Sequence, residues 1–189
     1  MKMMMTESST TTTTTALNYG DLNDTQRDKL LRYINGNPGI RYRELLRLSN
    51  LTNGVLAYHL ALLEKSDRIQ VDRKENKKMT RYYSNNIPIE ETNIIGYIRQ
   101  DATRQIISFI LENDLCTFDE VLEHTKKAPS TISWHLKRLK EAGIISIQYG
   151  HYHLYHVTDR QMVAEVLHKY KQRFIDKVVD RYTETIEEL

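Results

Sequence analysis

The sequence predicts a mainly α chain with small β-hairpin wings, an α+β fold in which one domain occurs twice and a long C-terminal helix follows. Three observations carry this prediction. The chain of 189 residues repeats its apolar pattern at an offset of 76 without a gap. Each copy reads as three short helices and then two strands. After Thr158 no Gly or Pro interrupts the chain up to Leu189.

The repeat is specific. Leu30, Leu31, Tyr33 and Ile34 fall on Ile106, Ile107, Phe109 and Ile110. Leu56, Tyr58, His59, Leu60 and Leu63 fall on Ile132, Trp134, His135, Leu136 and Leu139, and Ile69 falls on Ile145. Ahead of the repeat, residues 1–20 are a Met cluster and a Thr run with little to bury, read as a disordered tail.

The first domain is placed at 21–88. Helical spacing of Leu30, Leu31 and Ile34 predicts a helix over Thr25 to Asn35, stopped by Gly36-Asn37-Pro38-Gly39. A short helix at Tyr42 to Leu48, a tight turn at Ser49 to Leu51 and a third helix from Asn53 to Lys65 with Thr52 as N-cap follow. Strands at Arg68 to Asp72 and Thr80 to Ser84 flank a polar hairpin loop. Residues 89–100 are a linker or the start of the next helix. The second domain, 101–157, has helices at Asp101 to Asn113, Phe118 to His124 and Ser130 to Ala142, with Gly143 as C-cap. Its strands lie at Ile144 to Gln148 and Tyr152 to Val157. Two helices joined by a tight turn, preceded by a helix and followed by a hairpin, make a winged helix-turn-helix, here in tandem.

Composition narrows the function. With 28% charged and 40% hydrophobic residues the chain suits one or two small domains, not a large multidomain enzyme. Lys+Arg 27 against Asp+Glu 25 excludes a uniformly basic coat, so nucleic-acid binding must come from local clustering. The single Cys116 forms no internal disulfide and fits a reducing cytoplasm, the expected location. No apolar stretch approaches the roughly 18 residues of a membrane span, and no membrane partner is expected.

The third helices sort by face at about 100° per residue. In the second copy Ile132, Leu136 and Leu139 face the core, with His135 at the margin. Ser130, Thr131, Trp134, Lys137 and Arg138 face outward, side chains suited to phosphates and base edges in a major groove. From Thr125 to Glu141 five basic residues, Lys126, Lys127, Lys137, Arg138 and Lys140, stand against one acid, Glu141. The first copy's third helix instead exposes Gly54, Val55, Tyr58, Ala61 and Leu62. Its hairpin compensates, with Arg73, Lys74, Lys77, Lys78 and Arg81 against Asp72 and Glu75. Thr52, Asn53 and Tyr58 complete the candidate DNA contacts. The expected division of labour has the second domain reading bases and the first holding phosphates with its wing.

The runs Asn37-Pro38-Gly39-Ile40-Arg41-Tyr42-Arg43-Glu44-Leu45 and Leu56-Ala57-Tyr58-His59-Leu60 resemble archaeal transcriptional regulators with two winged helix-turn-helix domains. The stretch Ser130-Thr131-Ile132-Ser133-Trp134-His135-Leu136-Lys137-Arg138-Leu139-Lys140-Glu141-Ala142-Gly143-Ile144-Ile145 is similar to the recognition helix of ArsR-like regulators. The resemblance spans Asp24 to Val157 and implies regulation of transcription through double-stranded DNA. The first copy departs from it, ending its third helix Ser66-Asp67-Arg68 without the usual Ala-Gly.

Thr158 with Gln161 three residues on predicts a capping-box start to the C-terminal helix, 158–189, about 45 Å long at the usual rise. Its first apolar stripe, Val163, Val166, Leu167, Tyr170 and Phe174, is expected to pack on the second domain. A second stripe, rotated by roughly 100°, holds Ile175, Val178, Val179, Tyr182, Ile186 and Leu189. The dimerisation candidates are Tyr170, Phe174, Ile175, Val178, Val179, Tyr182 and Ile186; the alternative is that both halves cover one chain. A homodimer would space two recognition helices about 34 Å apart on a two-fold symmetric operator.

No phosphate-cradling loop, nucleophile elbow or zinc-protease motif is present, so no catalytic residue is assigned. His151, His153 and His156 lack acidic or Cys companions in sequence and read as wing surface rather than a metal site. Cys116, opposite Ile40 in the repeat, reads as a small buried side chain. No cofactor is called for, and the sequence identifies no small-molecule effector. The competing function class is a winged-helix scaffold for protein partners, favoured by the apolar face around Tyr58; RNA binding is a third, with no stacking motif to support it.

Overall fold

The computed structural model describes residues 25–73 and 80–170. In the first copy α1 (Gln26–Gly36), β1 (Ile40–Arg41), α2 (Tyr42–Ser49), α3 (Asn53–Lys65), β2 (Ile69–Asp72) and β3 (Arg81–Ser84) follow one another. Then come α4 (Ile89–Ile98), α5 (Asp101–Asn113), α6 (Phe118–Thr125), α7 (Pro129–Glu141), β4 (Ile145–Gln148) and β5 (Leu154–Val157). A last helix, α8, is described over 160–170. The fold is a mainly α tandem winged helix-turn-helix, as the pattern predicts. The Thr-rich stretch 1–20, the wing lysines Lys74, Lys77 and Lys78, and Phe174, Ile175, Val178, Val179, Tyr182 and Ile186 lie outside the described residues.

The repeat extends to individual hydrogen bonds. Asn37 donates its amide to the Tyr33 carbonyl at 2.8 Å, and Asn113 does the same to Phe109 at 2.8 Å. The Arg41 amide donates to Glu44 and the Thr117 amide to Glu120, the same cap on α2 and on α6. Asn50 and Lys126, equivalent positions, both take left-handed φ angles of 51° and 52° where the helix-turn-helix bends. Asp67 stands at φ 55° where the second copy has Gly143 at φ 70°. Arg68 and Ile144 then return their amides to the Leu63 and Leu139 carbonyls, both at 2.9–3.0 Å. The missing Ala-Gly of the first copy therefore leaves the backbone exit unchanged, with Asp tolerated in a left-handed cap.

Sequence reading misses one element in the first sheet. β1 joins antiparallel to β3, giving the order β1-β3-β2. Its counterpart in the second copy is a single bridge, Cys116 to Tyr155, beside the β4-β5 hairpin.

The segment 89–100 holds a helix in its own right. Ile94, Ile95, Tyr97 and Ile98 of α4 are buried, and their core partners are Ile106, Ile107, Leu136 and Leu139 of the second domain. Tyr83 of β3 and Ile87 belong to this same core, while Leu30, Ile34, Leu45, Leu56 and Leu63 form a separate one in the first domain. Polar contacts close the seam. Tyr83 donates its hydroxyl to the Thr92 carbonyl (2.9 Å), and Arg99 donates to the Pro38 carbonyl (3.0 Å) and Glu44 (2.9 Å).

α8 starts one residue later than the capping box predicts. Asp159 caps it, accepting from the Met162 amide at 2.9 Å, because the Thr158 amide is taken by the Ile144 carbonyl at 3.0 Å. Val163, Val166 and Leu167 pack into the second core. Tyr170 corrects its assignment to a dimer contact: it is 2% exposed and donates its hydroxyl to Glu91 at 3.3 Å, sealed against its own chain. Among the described residues no helix is long and apolar enough to cross a membrane.

Candidate nucleic-acid interface

The second helix-turn-helix builds a basic and aromatic face on α7. Ile132, Leu136, Leu139 and His135 are buried beneath it. Ser130, Trp134 and Lys137 are exposed, Trp134 by 51%, while Thr131 and Arg138 are half-buried. Lys126 is exposed at the bend and Lys127 half-buried beside it. α7 starts with Ala128 as N-cap and Pro129 in its first turn, so no side chain caps it. α1 and α6, by contrast, begin with Thr-based capping boxes. An uncapped helix start next to the Ser130 and Thr131 hydroxyls favours anionic groups.

The basic side chains are ordered by rings. The Arg138 guanidinium lies 4.6 Å from the Trp134 ring centroid and 5.4 Å from that of Tyr97 on α4. Lys140 donates to the Tyr149 hydroxyl at 2.9 Å, linking α7 to the wing. Lys137 has only a 3.9 Å pairing with Glu141, both exposed, which leaves its charge available. Burial, and then the charges of Arg138 and Lys127, lower the His135 pKa, so its imidazole is neutral under the cationic face.

The first domain's third helix offers different chemistry. Thr52 and Asn53 are exposed at its start, where the Asn53 carbonyl accepts from the Tyr42 hydroxyl at 2.8 Å. Thr52 makes no side-chain capping bond. Beyond them Val55 and Tyr58 are exposed, Tyr58 by 62%, and Leu48 of α2 is exposed as well. Arg73 is exposed at the base of the wing but forms a bidentate pair with Glu64, 2.5 Å on each arm. That bond holds the Glu64 carboxyl below its ordinary range.

Arg81 leaves the candidate DNA set. It is 5% exposed, donates to the Gly39 carbonyl at 2.9 Å and packs beside Gly96. Burial lowers its pKa to about 10, with Arg41 and Arg99 adding to the effect. Alternation along a four-residue strand points this side chain into the domain seam rather than toward the loop.

Two groups outside the interface are also located. Cys116 is buried, and burial pushes its thiol up to about 11. His151 and His153, with Asp119 and Tyr152, line an open groove of about 390 Å³ between α6 and the wing. No group of three His, Cys, Asp or Glu side chains is arranged to hold a metal among the described residues. Sequence reasoning does not single out Tyr97, Asn93 or Tyr149, which brace α7. The apolar run Ile94-Ile95 and Tyr97-Ile98 is the signal that α4 belongs to a core.

Comparison with known proteins agrees with this architecture. Residues 101–146 match the bacterial regulatory protein arsR family, and residues 24–95 match the HVO_0163-type N-terminal HTH domain. An uncharacterized HTH-type transcriptional regulator of Methanocaldococcus jannaschii is 26% identical over 139 residues, 73% of this chain. The match covers 34% of that relative, so the chain spans about a third of its length. Among solved structures, HlyU from Vibrio cholerae aligns at TM-score 0.39 with 15% identity, covering 44% of this chain and 90% of its own. The transcriptional repressor BigR from Xylella fastidiosa aligns at 0.39 with 18% identity, covering 43% and 84%. The chain thus carries two helix-turn-helix regions, the second similar to the arsR family and the first to the HVO_0163-type domain, and resembles an archaeal HTH-type transcriptional regulator over most of its length.

Proposed function

We propose that the chain is a sequence-specific DNA-binding regulator that reads bases with α7. The observation that carries this is the face of α7, where Ser130 and Thr131 stand at an uncapped helix start and Trp134, Lys137 and Arg138 follow along the helix. Arg138 is suited to bidentate contact with guanine, Trp134 to thymine methyls or sugars, and Lys126, Lys127 and Lys137 to phosphates. The first domain adds phosphate contacts through Arg73, Lys74, Lys77 and Lys78 of its wing. Homodimerisation through Phe174, Ile175, Val178, Val179, Tyr182 and Ile186 would pair two such faces on a two-fold operator; the reading of that segment rests on its apolar spacing.

The test is selection of duplexes from genome fragments, then affinity for the selected and a scrambled duplex at two salt concentrations. Preference for one sequence, with a salt slope near −0.9 per phosphate contact, supports the reading. Arg138→Ala should relax sequence preference, and charge reversal at Lys77 and Lys78 should weaken all duplexes alike; the opposite pattern refutes the division of labour. One observation favours a second reading. The exposed Leu48, Val55 and Tyr58 suit a protein partner, and equal weak binding to every duplex would make the chain a winged-helix scaffold.

A further inference from the structure

The helix between the two domains reaches the base-reading face through one side chain. Tyr97 is 6% exposed, so it touches no ligand itself. Its hydroxyl donates to the Arg138 carbonyl at 3.3 Å, and its ring faces the Arg138 guanidinium at 5.4 Å. Trp134 presents its ring to the same guanidinium at 4.6 Å. Tyr97 thus holds Arg138 at both the main chain and the head group. Asn93, one turn earlier on α4, donates to the Ala142 carbonyl at 3.0 Å, so α4 grips the C-terminal half of α7 at two carbonyls. An arginine ordered before it meets DNA loses less side-chain freedom on binding, and a guanidinium plane fixed by rings meets a base edge in one orientation.

We propose that Tyr97 is a positioning residue for sequence discrimination, setting from α4 the orientation in which Arg138 reads bases. The same helix is bound to the first domain through its C-cap Arg99, which pairs with Glu44, and through the Thr92 carbonyl, which accepts from Tyr83. Docking of the first domain and the posture of the reading arginine therefore share one helix. This inference rests on the reading of Arg138 as a base contact, and the experiment separates the two.

The measurement is the ratio of affinities for the selected and the scrambled duplex, in the full chain, for wild type, Tyr97→Leu, Tyr97→Phe, Arg138→Ala and the two double variants. Tyr97→Leu removes the ring and should lower the ratio about 3- to 10-fold. Its affinity for the scrambled duplex, set by phosphate contacts, should stay within about twofold. Tyr97→Phe removes only the hydroxyl's hold on the carbonyl and should lower the ratio about two- to fivefold. In the Arg138→Ala background neither change should lower the ratio further.

If Arg138→Ala leaves the ratio at its wild-type value, the base-reading assignment fails, and Tyr97 with it. If Arg138→Ala lowers the ratio and the Tyr97 variants do not, Tyr97 alone is overturned. A Tyr97 effect that persists undiminished without the arginine is a general packing effect and also overturns the proposal. Should Tyr97→Leu fail to fold, Tyr97→Phe decides by the same criteria.

Discussion

Removing the Glu44 carboxylate should destabilise the seam between the domains more than its repeat-equivalent change at Glu120. Glu44 Oε2 accepts from the Arg41 amide at 3.0 Å, capping α2, and from Arg99 at 2.9 Å. Arg41 and Arg81 lie directly opposite one another across β1 and β3, and Arg99 joins them from α4. Burial would raise the Glu44 pKa, but Arg99, the Arg41 amide, Arg41 and Arg81 outweigh it and hold the carboxyl below its ordinary 4.5. The Arg99 and Glu44 side chains are 13% and 26% exposed, between a surface pair and a buried one. Breaking a fully buried pair costs about 3–5 kcal/mol and losing a surface pair at most about 1. With the lost cap, the expected cost of Glu44→Ala is about 2–3 kcal/mol. That is about 5–10 °C in Tm for a chain of this size. Glu120→Ala removes the same cap without a guanidinium partner and should cost clearly less. The assay is urea and thermal unfolding of Glu44→Ala, Glu120→Ala, Arg99→Met and Glu44→Ala/Arg99→Met. Equal losses for Glu44→Ala and Glu120→Ala, or an undiminished Glu44 effect in the Arg99→Met background, would refute the reasoning. The sign of the pH dependence follows: Glu44's contribution is present above pH 4.5 and is lost as pH falls through its lower folded pKa.

Three further outcomes are expected. At Gly96 an added Cβ would meet the Tyr83 hydroxyl at 3.2 Å and Arg81 Nε at 3.4 Å; Gly96→Val should cost about 1–3 kcal/mol by crowding the seam, read by unfolding in urea. His135 is neutral in the fold with a pKa below 6.5, so its contribution is full above pH 6.5 and is lost as pH falls through the folded value. Thermal scans from pH 7 to 5 should show that loss in wild type and less of it in His135→Gln. Cys116, buried and shifted to about 11, should react with a thiol reagent at neutral pH only as fast as the second domain opens; rapid labelling of the native chain would contradict its burial.

Much of the fold was legible because each copy states its pattern twice. The alignment of Leu56 and Leu60 with Ile132 and Leu136 predicts both third helices within a residue of where they lie. β1 was illegible, since two residues carry no period. α4 was missed for a different reason: its exposed positions are few, and a helix buried on most sides loses the alternation that marks an amphipathic one. The candidate site was legible at Trp134 and Lys137, whose side chains project from an exposed arc fixed by helical spacing. It was illegible at Arg81, because a count of basic residues along a hairpin says nothing about which strand face each occupies. Tyr170 misled similarly, lying where one stripe gives way to the next.

The two copies share a backbone down to their left-handed residues, yet their outer faces diverge. Scaffold geometry depends on buried positions such as Leu56 and Ile132, on caps such as Glu44 and Glu120, and on bends at Asn50 and Lys126. None of these lies on the outer arc of α3 or α7, so substitution on that arc leaves the domain intact. Position 58 carries tyrosine where position 134 carries tryptophan, and position 62 carries leucine where position 138 carries arginine. The arginine is also the position whose carbonyl accepts from Tyr97 on α4. The asymmetry in charge therefore lies on the outer faces, over two scaffolds that share their caps and bends. If α7 reads bases as proposed, a first domain free of that role can supply its surface to a different contact, and its apolar α3 face and the basic residues beyond Arg73 are the features such a division of labour would use.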